Sequence, residues 1–565
     1  MGSKRIKISA DFETTVDPED VRVWASCAVD IETLETVHLS NSIASFFEWL
    51  SDKNSVVYFH NLKFDGEFIL SYLLQNGFKY SDEKKDKTFS TLITDGGVFY
   101  SITVIFEKKN KQYKKAVFYD SLKKLPFKVA TISKAFDLPD EKLVIDYKAT
   151  REVGHELTDE ERRYIVNDCR IVANALQIQF DQGLKHMTNA SDALHGFKDI
   201  FDTRQFEKFF PVFPVELDAF IRKAYKGGYV YLNPKHKNKR GLKGVTFDVN
   251  SLYPSVMYDR VLPYGYPIYF EGAPQPDQDH PLFIVHLKCA FELKKDHLPT
   301  IQLKNNRAYV ETEYLTSSGG DIVDLTLTNV DLELFLDHYD VYNLEYLKGL
   351  KFKGRRGFFK EYIDYWSFIK ETSKGAKRQL AKLMLNSLYG KFATNPKADT
   401  KIPYIDADGI VRYAVKTDTV AREYGLQPPE LRDPVYTAMG AFITAYAREK
   451  TIRSGQSVYD RFIYADTDSL HLVGEEMPDV LDVHPTKLGY WKHEGTFTDS
   501  KFIRAKTYME TIDGVTKVTC AGMPDNVKEK VTYDNFKSGS TFEGKLMPKR
   551  CKGGVVLVET TFTIK

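Results

Sequence analysis

The chain has 565 residues, a formal net charge of +1, 42% hydrophobic and 28% charged residues, and a high aromatic share of 13%. At roughly 100–200 residues per domain this length predicts three to five domains, and the near-neutral charge excludes a nucleic-acid binder that works by bulk positive charge, leaving local patches to be judged singly. Cys27, Cys169, Cys289, Cys520 and Cys551 form no Cys-x-x-Cys pair, no signal segment opens the chain and no apolar run reaches membrane-spanning length; together these argue against a zinc site, a disulfide framework or a membrane protein and predict a soluble, intracellular one.

Over roughly the first third, short strands alternate with helices. "RIKISADFE" alternates, with Ile6, Ile8, Ala10 and Phe12 on one face and Lys7, Ser9, Asp11 and Glu13 on the other. "SVVYFH" is a short apolar strand, "DGEFILSYLLQNG" a helix ending at Gly77, and "LTDEERRYIVNDCRIVANALQIQF" a long helix with Thr158 and Glu161 at capping-box spacing. "KGVTFDVNSLYPSVMYDR" reads as strand, turn and helix. "YGYPIYFEGAPQPDQDHP" is rich in Pro and Gly and predicts a loop or boundary, and short strand-like pieces dominate 281–358. "FFKEYIDYWSFIKETSKGAKRQLAKLMLNSLYGKF" is helical on either side of a break near Ser373–Gly375; "NPKADTKIPYIDADGIVRYAVKTD" looks like an inserted hairpin; "RFIYADTDSLHLV" reads as strand, turn, strand; the C-terminal "CKGGVVLVETTFTIK" returns to strand character.

Two clusters of acids stand out. Asp11 and Glu13, at i and i+2 on a strand, share a face and can grip one ion together. Tyr164 and Asp168, at i and i+4, share a helix face. With Asp65 they supply four carboxylates and a phenol, a hard-oxygen set suited to Mg²⁺ or Mn²⁺ and to two-metal phosphodiester hydrolysis. Each residue also has a plainer reading: Asp65 as a helix N-cap, Asp168 as a solvated helix residue, Asp11 and Glu13 as exposed strand acids. In the second cluster Asp248 in "FDVNSLYPS" and Asp468 in "YADTDS" end apolar strands, where two Mg²⁺ ions and a triphosphate would complete them, with Asp466 as support. On "AKRQLAKLMLNSLYGKF" the residues Lys382, Asn386 and Tyr389 fall on one stripe, with Arg378 a turn earlier and Leu385 and Leu388 off it. Such a stripe suits phosphates and base stacking; a solvated helix face is the alternative. "PKHKNKRGLKG" and "KFKGRRGFFK" are candidate phosphate contacts or solvated loops.

In chain order, Asp11-x-Glu13, "NLKFDGE" and Tyr164-x-x-x-Asp168 resemble the three exonuclease motifs of proofreading DNA polymerases, and "FDVNSLYPS", "KLMLNSLYG" and "YADTDS" resemble the three polymerase motifs of family B DNA polymerases. With "YKGG" at 225–228, "YDSLKKLPF", "LTNVDLEL", "KLGYW" and "KTY", the chain looks like the protein-primed family B DNA polymerases of small Bacillus phages, the phi29 type, over nearly its whole length. The resemblance implies a multidomain α/β and α+β protein: an RNase H-like 3′–5′ exonuclease domain at 1–188 and a right-hand polymerase with palm at 189–259 and 434–520, fingers at 359–393 and thumb at 521–565. Insertions would lie at 260–358, in contact with a priming protein, and at 394–433, a hairpin that helps close a ring around DNA and supports processivity and strand displacement. It implies two Mg²⁺ ions per site, replaceable by Mn²⁺, on Asp11, Glu13, Asp65 and Asp168 and on Asp248, Val249 and Asp468. Nucleotide contacts would come from Val249, Tyr253 (which rejects ribonucleotides), Lys370, Arg378, Lys382, Asn386 and Tyr389. DNA contacts would come from Thr14, His60, Asn61, Phe64, Ser121, Leu122 and Lys142 at the single-stranded 3′ end, and from Tyr225, Gly227, Gly228 and Lys506. The implied partners are primer–template and single-stranded DNA, deoxynucleoside triphosphates and a terminal protein, met by a monomer in the cytoplasm of a bacterial host. The second insertion is longer than usual for the group and the segment after Lys506 shorter. A nucleic-acid-primed repair polymerase and a catalytically dead replication scaffold are the competing readings.

Overall fold

The fold, known from a computed structural model, is described for residues 5–109, 112–302, 314–396, 400–429 and 432–565. Counts and absences refer to these residues, and parts of both predicted insertions (303–313, 397–399, 430–431) lie outside them.

Near the N-terminus an eight-stranded sheet runs, edge to edge, Thr36–Ser40, Val23–Asp30, Ile6–Thr14, Asn54–Phe59, Gln112–Asp120, Phe99–Lys109, Thr88–Ile93 and Lys79–Tyr80. Ile6–Thr14 lies parallel to Asn54–Phe59, which lies parallel to Gln112–Asp120. Being interior, Ile6–Thr14 is covered on both faces. Phe12 packs its ring 5.1 Å from Phe46 and 4.8 Å from Phe59, and the opposite, acid-bearing face lies against the helix Asp159–Asp181. The alternation seen in the sequence therefore separates an apolar layer from a functional one, and Glu13, only 8% exposed, is not a surface acid. The capping box of Thr158 and Glu161 forms as expected, with both reciprocal hydrogen bonds made. The helix Leu62–Gln75 takes Asn61 as its N-cap residue, at φ 71°, so Asp65 sits inside the first turn and is not the cap.

The second sheet is antiparallel, in the order Val515–Cys520, Thr507–Ile512, Trp491–Arg504, Gly244–Val249, Ser469–Val473, Phe462–Asp466, Val230–Leu232. Strand, turn and strand around "YADTDS" and the helix Leu252–Asp259 after "FDVNS" match the sequence reading. The helices Lys360–Thr372 and Gly375–Ser387 flank the predicted break.

A four-stranded sheet, Leu262–Glu271, Tyr339–Arg355, Leu282–Leu293 and Val323–Thr328, differs from expectation. The Pro/Gly-rich stretch read as a loop supplies the strand Leu262–Glu271, whose prolines are tolerated because it is an edge strand with a register shift between Tyr264 and Ile268. The segment read as short pieces holds strands of 12 and 17 residues and the helix Asn329–His338. The longer of these strands also takes up the first half of the basic run "KFKGRRGFFK". The inserted hairpin is Lys401–Ile405 with Val411–Val415, and a second hairpin, Thr541–Cys551 with Gly554–Thr563, ends the chain. One buried cluster runs from Trp24 and Leu176 through Phe197 and Phe210 to Phe247 and Trp491, packing the N-terminal domain onto the second sheet.

Candidate active sites

Asp11, Glu13, Tyr164 and Asp168 line a cavity of about 210 Å³ with His60, Lys142 and Tyr147. Asp65 is buried beside them and 3% exposed. Burial and the charge of Asp168 push Asp11 up to about 7. Burial and the charges of Asp11 and Asp168 lift Glu13 well above the usual carboxylate range, and burial and Asp11 do the same for Asp65. Burial also raises Asp168, partly offset by Lys142, whose ammonium binds Asp168 and donates to the Tyr164 hydroxyl at 2.9 Å. The buried Oδ1 atoms of Asp65 and Asp168 have no hydrogen-bond partner. Among the described residues no three His, Cys, Asp or Glu side chains form a ready-made chelate. Like charges in a desolvated site stand apart until a cation joins them. Unpartnered carboxylate oxygens at this spacing fit hard divalent ions that take one or two protein ligands each and complete their shells from substrate and water.

Of the residues predicted to hold a DNA end, His60 and Lys142 line this cavity. His60 lies between the Ser121 hydroxyl, at 2.9 Å from Nδ1, and the Phe127 carbonyl, at 2.8 Å from Nε2. Ser121 is fully buried, so any contact it makes with DNA runs through the histidine. Asn61 and Leu122 are tied together by Asp120, whose Oδ1 accepts from the main-chain N–H of both at 3.1 Å. Phe64 packs 5.7 Å from Phe68, and Thr14 ends its strand just past a register shift. Sequence reasoning missed Asp120, although "YDSLKKLPF" was singled out. It also missed Tyr147, half exposed and hydrogen-bonded to Tyr164; that tyrosine sits in an irregular stretch with no periodicity to place it.

In the second sheet Asp248 is in register with Ser469 on one side and Lys492 on the other, and the Val249 N–H donates to the Asp468 carbonyl at 2.8 Å. Burial and the Asp468 charge push Asp248 up to about 7, and burial raises Asp468. Asp466 is gripped by Lys506: both its oxygens accept from Lys506 Nζ at 2.8 Å, and Tyr464 donates to it at 3.2 Å. The Val249 side chain is in the core, so only its main chain can meet a ligand. Two acids of raised proton affinity, one on the strand Gly244–Val249 and one in the turn between the strands Phe462–Asp466 and Ser469–Val473, again fit divalent ions shared with a phosphate.

The stripe predicted on the helix Gly375–Ser387 ends at Tyr389, which lies near enough to Asp468 to feel its charge. Tyr389 stacks on Tyr253 with centroids 3.9 Å apart and planes 12° apart, and burial, with Tyr389 nearby, raises the Tyr225 phenol. Lys382 and Asn386 are exposed, Leu385 and Leu388 buried, as the spacing predicts. Arg378 donates to the Lys370 carbonyl, and Lys370 reaches Ser251 Oγ at 3.5 Å. The "YKGG" connector is pinned from two sides. Arg448 donates to the carbonyls of Lys226 and Gly227 at 3.0 and 2.9 Å while its other nitrogens grip Asp331 of the helix Asn329–His338, and Gly228 backs onto Thr467 in the "YADTDS" turn.

Residues 49–485 match the family described as DNA polymerase type B, organellar and viral. The DNA polymerase of Bacillus phage phi29 is 50% identical over 577 residues, which cover 99% of this chain and 98% of that protein. The chain belongs to the organellar and viral type B DNA polymerases. The solved structure of phi29 DNA polymerase complexed with primer-template DNA and incoming nucleotide substrates superposes on it with a TM-score of 0.94, at 49% identity and with 100% of both chains covered. The same enzyme complexed with single-stranded DNA gives 0.93 at equal identity and coverage. This type B polymerase thus has the multidomain α/β architecture of that enzyme, an N-terminal domain joined to palm, fingers and thumb. No helix among its described residues is long and apolar enough to cross a membrane.

Proposed function

We propose that this polymerase extends primers on a DNA template at Asp248 and Asp468, trims mispaired 3′ ends at Asp11, Glu13, Asp65 and Asp168, displaces the strand ahead of it, and begins from the hydroxyl of a priming protein. The observation that carries the reading is that buried, mutually repelling carboxylates are gathered twice, on two different sheets of one chain.

Two Mg²⁺ ions in each site, or Mn²⁺ in their place, would supply the positive charge that lowers the pKa of the attacking hydroxyl or water and neutralises the leaving oxygen. In the palm, Asp248, Asp468 and the Val249 main chain would hold that charge, and Lys370, Arg378 and Lys382 would neutralise the outer phosphates of the nucleotide. The stacked Tyr253 and Tyr389 form a wall under the incoming sugar and base. The primer 3′ oxygen bonds to the α-phosphorus as pyrophosphate leaves, and Lys506, turned toward the site by its grip on Asp466, steadies the primer end. In the N-terminal site the Tyr164 hydroxyl, held by Lys142 and Tyr147, is set to orient a water for in-line attack. His60 and Phe64 offer rings to a frayed end.

Protein priming and strand displacement rest on the resemblance and on the two insertions at 260–358 and 394–433, which also favour this reading over a nucleic-acid-primed repair enzyme. The complexes of phi29 DNA polymerase support primer–template, single-stranded DNA and nucleotides as ligands here. The test is a primed single-stranded circle with Mg²⁺ and four deoxynucleotides, without helicase or clamp. Products many times the circle's length support polymerisation with displacement; products of one circle's length remove the displacement; a primer that only shortens removes the palm assignment.

A further inference from the structure

Two hairpins of the second sheet carry site residues in their turns. One, Phe462–Asp466 with Ser469–Val473, bears Asp466 and Asp468; the other, Trp491–Arg504 with Thr507–Ile512, bears Lys506. Below the turns the two hairpins meet through four rings. Tyr464 and His471 are in register on the first, Phe502 and Tyr508 on the second. The Tyr464 ring centre lies 5.7 Å from that of Phe502 and 5.2 Å from that of Tyr508, and the His471 ring centre 5.6 and 5.1 Å from the same two.

One polar bond crosses this layer. His471 Nδ1 donates to Glu510 Oε1 at 2.7 Å, and both side chains are buried. Apolar residues of similar volume would join the hairpins about as well, because taking a charged pair out of water costs about what its attraction returns. The arrangement also leaves His471 Nε2 buried and without a partner, a cost that packing alone does not explain. What the bond adds is direction. It fixes the imidazole, whose cross-strand neighbour is Tyr464, with ring centres 5.4 Å apart. The Tyr464 hydroxyl accepts from the Lys506 main-chain N–H at 2.9 Å and donates to Asp466. Lys506 stands at φ 55°, in the left-handed region, so its place depends on contacts from outside its own turn. On its other side His471 lies in register with Thr246, two residues before Asp248 on the strand Gly244–Val249.

We propose that His471 and Glu510 are positioning residues that set the distance between Lys506 and the palm acids, and with it whether a paired primer end stays in the palm or is given up to the N-terminal site. The proposal rests on the polymerase reading above, in which Lys506 steadies the primer end. Both residues are buried and act through Tyr464. With the bond broken, the Lys506 turn relaxes, the 3′ oxygen is aligned less often, and a paired end is trimmed more before it is extended.

The test sets extension against trimming on one labelled, fully paired primer–template in Mg²⁺, with the deoxynucleotides titrated from zero. The concentration at which shortening stops reports the balance. Degradation of a single-stranded oligonucleotide reports the N-terminal site alone, and the melting temperature reports the fold. Glu510→Ala should need about tenfold more nucleotide to stop shortening, as expected for loss of a charged hydrogen bond, with single-strand degradation as in wild type. Glu510→Gln, which keeps the acceptor oxygen, should recover most of the balance. His471→Phe with Glu510→Met removes both polar groups and keeps the layer packed. That double variant should melt at or above the wild-type temperature and still show the shifted balance, which a purely structural pair would not do. Should Glu510→Ala fail to fold, the double variant carries the test. A folded double variant with the wild-type balance overturns the positioning role and leaves the polymerase reading standing; a wild-type chain that only shortens the primer at every nucleotide concentration overturns both.

Discussion

Gly228 lies so close to Thr467 that a Cβ added to it would sit 2.5 Å from the threonine Oγ1. The turn that places Asp468 rests on that bare backbone, and Thr467, at φ 60°, cannot easily move aside. Gly228→Ala should therefore push the turn away from Asp248 and lower nucleotide incorporation by about 10–100-fold, with 3′ trimming intact. Adding Thr467→Ala, which removes the two closest atoms, should restore part of the loss. Equal incorporation by Gly228→Ala and wild type in a single-turnover assay would show that the contact sets nothing.

The two acid clusters should be separable. Asp248→Ala or Asp468→Ala is expected to abolish primer extension and leave degradation of a single-stranded 3′ end, while Asp11→Ala with Asp65→Ala should do the reverse. Both activities are read from one labelled primer on a denaturing gel, with circular dichroism as the folding control. Loss of both activities in a folded single-site variant contradicts the division.

Tyr253 presents its ring to Tyr389 and fills the floor below the expected sugar. Tyr253→Val shortens that wall and should admit ribonucleotides, raising their incorporation relative to deoxynucleotides by about tenfold or more. Unchanged discrimination in competition assays removes the gate role from this residue.

Asp11 at about 7 carries a stability consequence. A carboxyl that binds its proton more tightly when folded than when unfolded stabilises the fold fully below the ordinary carboxylate pKa, and that stability is lost as pH rises through about 7. Glu13 and Asp65, raised in the same way, add to the effect. In EDTA the melting temperature should fall between pH 5 and pH 8, and millimolar Mg²⁺ should restore it at pH 8. Asp11→Asn should raise the metal-free melting temperature at pH 8 by about 2 °C or more. A melting temperature that is flat with pH and blind to Mg²⁺ contradicts the charge repulsion described for this site.

What the sequence made legible was local chemistry. Asp11 and Glu13 share a face because strands alternate, Tyr164 and Asp168 because helices return every turn, and the Lys382–Asn386–Tyr389 stripe for the same reason. What stayed hidden depended on contacts between distant segments. Tyr147 meets Tyr164 through an irregular stretch, Asp120 gathers main-chain groups from two loops, and Asp466, expected as support for Asp248 and Asp468, is bound by the distant Lys506. The strand at Leu262–Glu271 was masked by prolines that an edge position tolerates. Glu67 stands in the quoted "NLKFDGE", but no local spacing pointed to its partners, which lie in the inserted hairpin and near the C-terminus.

The pairing of Arg448 with Asp331 bears on modularity. Arg448 is 1% exposed, and the carboxylate that balances it comes from the helix Asn329–His338, inside the stretch expected as the first insertion. The insertion is therefore no detachable ornament. Excising it to make a smaller enzyme would strand a guanidinium beneath the "YKGG" connector, at a cost of about 3–5 kcal/mol. A pared-down version would need a second change at position 448, to an uncharged side chain of similar length, before it could fold around the same palm. The segment that most looks like an accessory has become part of the counter-charge of the core.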